Sequence, residues 1–71
     1  MTYLTSVINS TSEQKLRIVT AVDEYCGEKA YLLFTKYFNK CLSDGELLGL
    51  LEICNISENY FESITKRIME N

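Results

Sequence analysis

Apolar residues recur along this chain at helical intervals of three and four, in stretches separated by short polar tracts. Leu16, Val19, Val22 and Cys26, flanked by Ile18 and Tyr25, follow the tract Ser10-Thr11-Ser12-Glu13. Ser10 with Glu13 three residues later has the spacing of a capping box, in which hydroxyl and carboxylate each satisfy a free backbone N–H. Gly27 is placed to end this helix, because glycine takes positive φ without steric cost. Ala30, Leu33, Phe34, Tyr37, Phe38 and Cys41 make the next stripe, with Lys29, Lys36, Asn39 and Lys40 off it. Tyr31 and Leu32 fit no single buried face and predict a central helix covered on more than one side. Ser43-Asp44-Gly45-Glu46 repeats the capping box, and Leu47, Leu50, Leu51 and Cys54 follow on one face, widened by Leu48 and Ile53. Beyond Asn55-Ile56-Ser57, Tyr60, Phe61, Ile64 and Ile68 define a last stripe. Lys66 and Arg67 fall in its final turns, where cations suit the helix dipole.

These patterns predict an all-α fold: a compact bundle of four helices over about residues 11–26, 28–42, 44–54 and 58–70, with neighbouring helices packed on each other. Residues 1–9 are uncharged and carry Leu4, Val7 and Ile8 at helical spacing, so they form either a short helix or an arm that packs on a partner. No repeat, linker or strand pattern interrupts the chain, and residues 1–71 are expected to form a single domain.

Composition changes this picture in two respects. A core of 71 residues supplies only about 3–5 kcal/mol unaided, so a homodimer is expected. The net charge of −3 lacks the basic footprint of a simple electrostatic nucleic-acid binder. The three cysteines, Cys26, Cys41 and Cys54, have neither metal nor redox spacing and each falls on an apolar stripe, so they read as buried, reduced thiols. The first residues, Met1-Thr2-Tyr3-Leu4-Thr5, have no basic region and no long apolar run, which predicts no signal peptide, no membrane span and a cytoplasmic protein.

Catalytic chemistry is not expected. The chain has no histidine, the commonest general base and transition-metal ligand. It has no glycine-rich phosphate loop, and its carboxylates belong to helix starts (Glu13, Glu46) or to polar faces (Asp23, Glu24). No cofactor, metal or small-molecule substrate is expected, which leaves binding as the activity.

One segment has the spacing of a recognition element. From Leu50 to Ile64 the sequence provides an apolar inner face, a turn residue tolerant of positive φ (Asn55), an apolar corner plug (Ile56), a cap (Ser57) and two inward residues (Phe61, Ile64). This predicts a helix-turn-helix-like C-terminal pair. It leaves Ser57, Glu58, Asn59, Glu62, Ser63, Lys66 and Arg67 as the DNA- or partner-binding face. In a major groove Asn59 would pair with adenine, Glu62 would accept from cytosine N4, and Lys66 and Arg67 would meet phosphate. Leu51 departs from the template at a position usually held by a small residue.

The tract Asn55-Ile56-Ser57-Glu58-Asn59-Tyr60-Phe61, and its continuation to Arg67, resembles the corresponding tract of fimbrial-operon regulators of the PapB type. That resemblance implies cooperative DNA binding by an oligomer. Leu42-Ser43-Asp44-Gly45-Glu46-Leu47 is similar to a tract of the Hha family, which implies a modulator that binds a nucleoid protein and does not read DNA itself. Two functions follow. The first is transcriptional control by a DNA-binding dimer. The second is a phage- or plasmid-type interaction module, an inhibitor or adaptor, that binds a larger host protein without contacting DNA. Surplus apolar residues at Tyr31, Leu32, Leu48 and Ile53 mark the candidate interface for the second.

Overall fold

Helix stops set the architecture. The computed structural model describes residues 3–70, and Met1, Thr2 and Asn71, which belong to the predicted N-terminal arm and the 1–71 domain, lie outside the described residues. The described residues form five helices and no strand: α1 (Tyr3–Ile8), α2 (Ser12–Cys26), α3 (Lys29–Phe38), α4 (Asp44–Ile53) and α5 (Glu58–Met69). The all-α expectation holds, while the expected four helices become five because Tyr3–Ile8 is helical and buries Leu4 and Val7.

The first cap lies one residue beyond its expected place. The Ser10 hydroxyl donates to the Val7 carbonyl at 2.6 Å and so closes α1. The cap therefore passes to Thr11, whose Oγ1 accepts from the Gln14 N–H at 3.2 Å while Gln14 Oε1 accepts from the Thr11 N–H at 3.1 Å. Glu13, released from capping, pairs with Arg17 at 2.9 Å. The second box stands as read: Ser43 Oγ accepts from the Glu46 N–H and Glu46 Oε1 from the Ser43 N–H. These two bonds hold the Glu46 carboxyl below its ordinary value of 4.5.

Two helices end in the same way. At the end of α3 the Cys41 N–H reaches the Lys36 carbonyl and the Lys40 N–H the Tyr37 carbonyl; at the end of α4, Ile56 reaches Leu51 and Asn55 reaches Glu52. Both are Schellman closures, with Lys40 (φ 63°) and Asn55 (φ 68°) in the left-handed position. The closure at Lys40 ends α3 at Phe38, four residues before the expected limit, and takes Cys41 out of the stripe onto the surface. Gly27, at φ 62° and ψ −149°, stops α2 in a region open essentially to glycine alone.

The core draws on every element: Leu4 and Val7 from α1, Ile18 and Val22 from α2, Ala30, Phe34 and Tyr37 from α3, Leu47 and Leu51 from α4, Phe61 from α5 and Ile56 from the last turn. Phe61 stands at its centre, with ring centroids 5.9 Å from Phe34 and 6.0 Å from Tyr3. The Tyr37 hydroxyl donates to Asp44 Oδ1 at 2.9 Å and so ties α3 to the start of α4.

Several apolar residues stand elsewhere than expected. The buried face of α2 runs through Ile18 and Val22, which turns Leu16 outward to 63% exposure. On α3, Tyr31 and Leu32 are exposed rather than covered, because α3 packs through Ala30, Phe34 and Tyr37, with Leu33 and Phe38 half-buried beside them. Leu48 is half-buried against the core and is not surplus. On α5, Tyr60 is partly exposed, Ile64 half-buried, and Thr65 takes the inward position beside Phe61 with its hydroxyl satisfied by the Glu62 carbonyl.

Candidate functional site

The polar face of α5 is presented outward but does not form a cationic surface. Glu58, Asn59, Ser63, Lys66 and Arg67 are exposed and Glu62 is half-buried. Ser57 caps the helix, its hydroxyl accepting from the Tyr60 N–H at 3.2 Å. Ser63 donates back to the Asn59 carbonyl, and Glu62 holds Lys66 at 3.2 Å along the helix. Lys66 borders a depression shared with Tyr3, Ser6 and Met69. Arg67 borders another, on the opposite side of α5, where the Tyr25 and Tyr60 hydroxyls meet at 2.5 Å. Lys36 borders a third, and Lys40 sits in the turn after α3. The cations of the chain are thus divided among separate surfaces, which weakens the field any one of them offers a phosphate backbone.

The turn between α4 and α5 matches its expected residues in part, since Ile64, expected inward, is half-buried and Thr65 is buried in its place. Asn55 adopts positive φ, Ile56 is wholly buried, and Phe61 packs inward. Leu51, the oversized template position, is itself wholly buried in the core. The same hydrogen-bond pattern closes α3, so the turn is a general helix stop of this chain and carries no DNA signature of its own.

A different surface stands out between α3 and α4. Lys29, Leu32, Leu33 and Lys36 form one face of α3, at the i, i+3, i+4, i+7 positions. Opposite them, Leu50 and Ile53 are one helical turn apart on α4, and between the two helices runs an open groove of about 340 Å³ that Leu42, Cys26 and Cys54 also line. Leu32 is 63% exposed, Leu50 40% and Ile53 78%. Two of the four predicted interface residues, Leu32 and Ile53, meet in this groove; Tyr31 faces away with Leu16 onto the α2–α3 side, and Leu48 points to the core. Leu50 was expected on the inner face of its helix. Its spacing of three from Ile53 was the available signal that both share an outer face.

The groove also unites two thiols that are distant in sequence. Cys26 and Cys54 are half-buried, unlike the fully buried state expected, and Cys41 is exposed; all three are free. Burial, followed by the influence of the neighbouring Cys54 thiol, pushes the Cys26 thiol up to about 12, so Cys26 is a poor nucleophile. Among the described residues no three metal-ligating side chains come together, and no helix is long and apolar enough to cross a membrane. No family model, curated protein or solved structure matches this chain.

Proposed function

We propose that this chain is a small non-enzymatic interaction module of the cytoplasm that regulates a larger protein by docking through the groove between α3 and α4. The observation that carries this reading is the exposure of Leu32 and Ile53 beside Leu50, on helices whose opposite faces already supply the core. The outer face of α4 has no cover within the chain, and contiguous exposed apolar surface marks an interaction site. Three free cysteines accord with a reducing compartment.

Photo-crosslinking tests the reading. A benzoylphenylalanine placed at Ile53, and separately at Asn59, is irradiated in cells that make the protein. A discrete protein adduct from position 53 and none from position 59 is expected. Nuclease-sensitive adducts from position 59, with none from 53, would overturn it.

A second reading rests on the closure at Asn55-Ile56-Ser57, which supports a helix-turn-helix pair with α5 as the contact helix of a DNA-binding homodimer. It requires binding to duplex DNA at low salt that weakens as salt rises, because phosphate contacts release counterions. In that case Lys66→Glu weakens binding to all sequences alike.

A further inference from the structure

We infer that the occupant of the α3–α4 groove is an amphipathic helix of another protein, with leucine-type side chains along its centre and carboxylates along its edge. The inference rests on the docking reading above and adds the chemistry of the partner. The argument is one of charge complementarity. The chain carries ten acidic residues against seven basic ones, yet the ionisable side chains bordering this groove, apart from its thiols, are Lys29 and Lys36. Both are exposed, and neither is in a salt bridge among the described residues. They stand seven residues apart on α3, two turns, or about 10 Å along its axis. Leu32 and Leu33 lie between them, and Leu50 and Ile53 form the facing wall.

A partner helix laid along α3 places side chains at i, i+3, i+4 and i+7 between these walls. Carboxylates seven residues apart on its edge reach both ammonium groups. A basic partner meets repulsion at both. A second copy of the chain is disfavoured for the same reason: a two-fold contact through this groove sets Lys29 and Lys36 against their own equivalents.

The thiols give a readout inside the groove. Cys54 and Cys26 border it, whereas Cys41 lies on the exposed turn after α3 and serves as an internal control.

The test is titration of the full chain with two synthetic peptides of about fifteen residues, enough at about 1.5 Å per residue to cross a molecule 22 Å wide. Both carry leucine at i, i+3, i+4 and i+7; one is flanked by glutamate, the other by lysine. The acidic peptide is expected to bind roughly tenfold more tightly at low salt, as two ion pairs can supply, with the gap closing as salt rises. It slows alkylation of Cys54 and leaves that of Cys41 unchanged. Lys29→Glu with Lys36→Glu reverses the preference, and Leu32→Ser with Ile53→Ser loses both peptides. Equal binding of the two peptides, lost in the serine variant, overturns the acidic partner while keeping the groove as a docking surface. Binding that survives in the serine variant, or leaves Cys54 unprotected, removes the groove itself. Binding of neither peptide overturns the helical occupant, and the crosslink from position 53 then decides separately whether the groove docks a protein at all. A free protein that sediments as a dimer, and as a monomer once Leu32 and Ile53 are serine, overturns the inference in favour of a second copy.

Discussion

Leu47 and Leu51 on one face of α4, and Leu50 and Ile53 on another, are alike in kind and have opposite fates. On the inner face Leu47 and Leu51 are wholly buried, and the chain leaves the helix through Ile56, equally buried, to reach Phe61. On the outer face Leu50 and Ile53 look across an open groove toward Leu32 of α3. The inner side is tied into the fold at each end: a cap at Ser43, a closure at Asn55 and a packed aromatic centre. The outer side has the residues of a core without the rest of the core. Apolarity alone therefore does not identify what stabilises a small protein. What matters is whether the rest of the chain covers the residue.

The largest effect that would sharpen this contrast is expected at Phe61. Phe61→Ala removes a wholly buried ring that meets Tyr3 of α1 and Phe34 of α3, at a cost of about 3–5 kcal/mol, as much as the entire stability of a domain this small, so its circular dichroism is expected to be that of a largely unfolded chain. Ile56→Ala costs about 2–5 kcal/mol, read as a lower urea midpoint. A near-neutral Ile56→Ala would break the contrast from the inner side.

The helix closure comes next. Asn55→Val places a β-branched residue at φ 68° and is expected to lose about 1–2 kcal/mol. Asn55→Gly stays within about 0.5 kcal/mol, because relief at positive φ offsets the added freedom of the unfolded chain. Equal losses in the two variants would show that the Asn55 side chain, and not its backbone, secures the turn.

Alkaline pH loosens the inner side. Burial, followed by the nearby charges of Glu58, Glu62 and Asp44, raises the Tyr3 phenol from its ordinary 10.0 to about 12. Burial and the bond to Asp44 raise Tyr37 in the same direction. A raised acid in the folded state means that the unfolded chain loses its proton first. The stability from these groups is complete below pH 10.0 and is lost as pH rises toward 12, so the urea midpoint is expected to hold from neutrality and fall across that window. Glu46, held below its ordinary value, acts in the opposite direction: its contribution is present above pH 4.5 and lost under acid.

The parts of this structure that were legible in the sequence are those governed by local chemistry. Ser43 with Glu46, Gly27, Asn55 and Ser57 each announce a helix boundary through a side chain or a backbone freedom that acts within a few residues. The end of α3 was not legible, because Lys40 occupies the left-handed position with no residue type to announce it. Cap placement at Thr11 depended on whether Ser10 was already engaged by α1. The face that α2 buries was ambiguous, since Leu16 and Ile18 are equally apolar and only the packing of α3 and α5 against Ile18 and Val22 chooses between them. The groove was half legible. Leu32 and Ile53 stood out as surplus, but their meeting, the part of Leu50, the lysines that flank it and the presence of Cys26 and Cys54 in one groove all depend on how α2, α3 and α4 pack together.

The distinction between apolar residues that hold the fold and apolar residues that do not is tested most directly by equilibrium urea unfolding of the Leu32→Ser, Ile53→Ser double variant beside the unaltered protein. The expected result is a midpoint unchanged to within about 0.5 kcal/mol in stability, as for substitutions on a surface that nothing in the chain covers. A loss as large as that of Ile56→Ala would place Leu32 and Ile53 in the core and contradict the existence of a free docking surface.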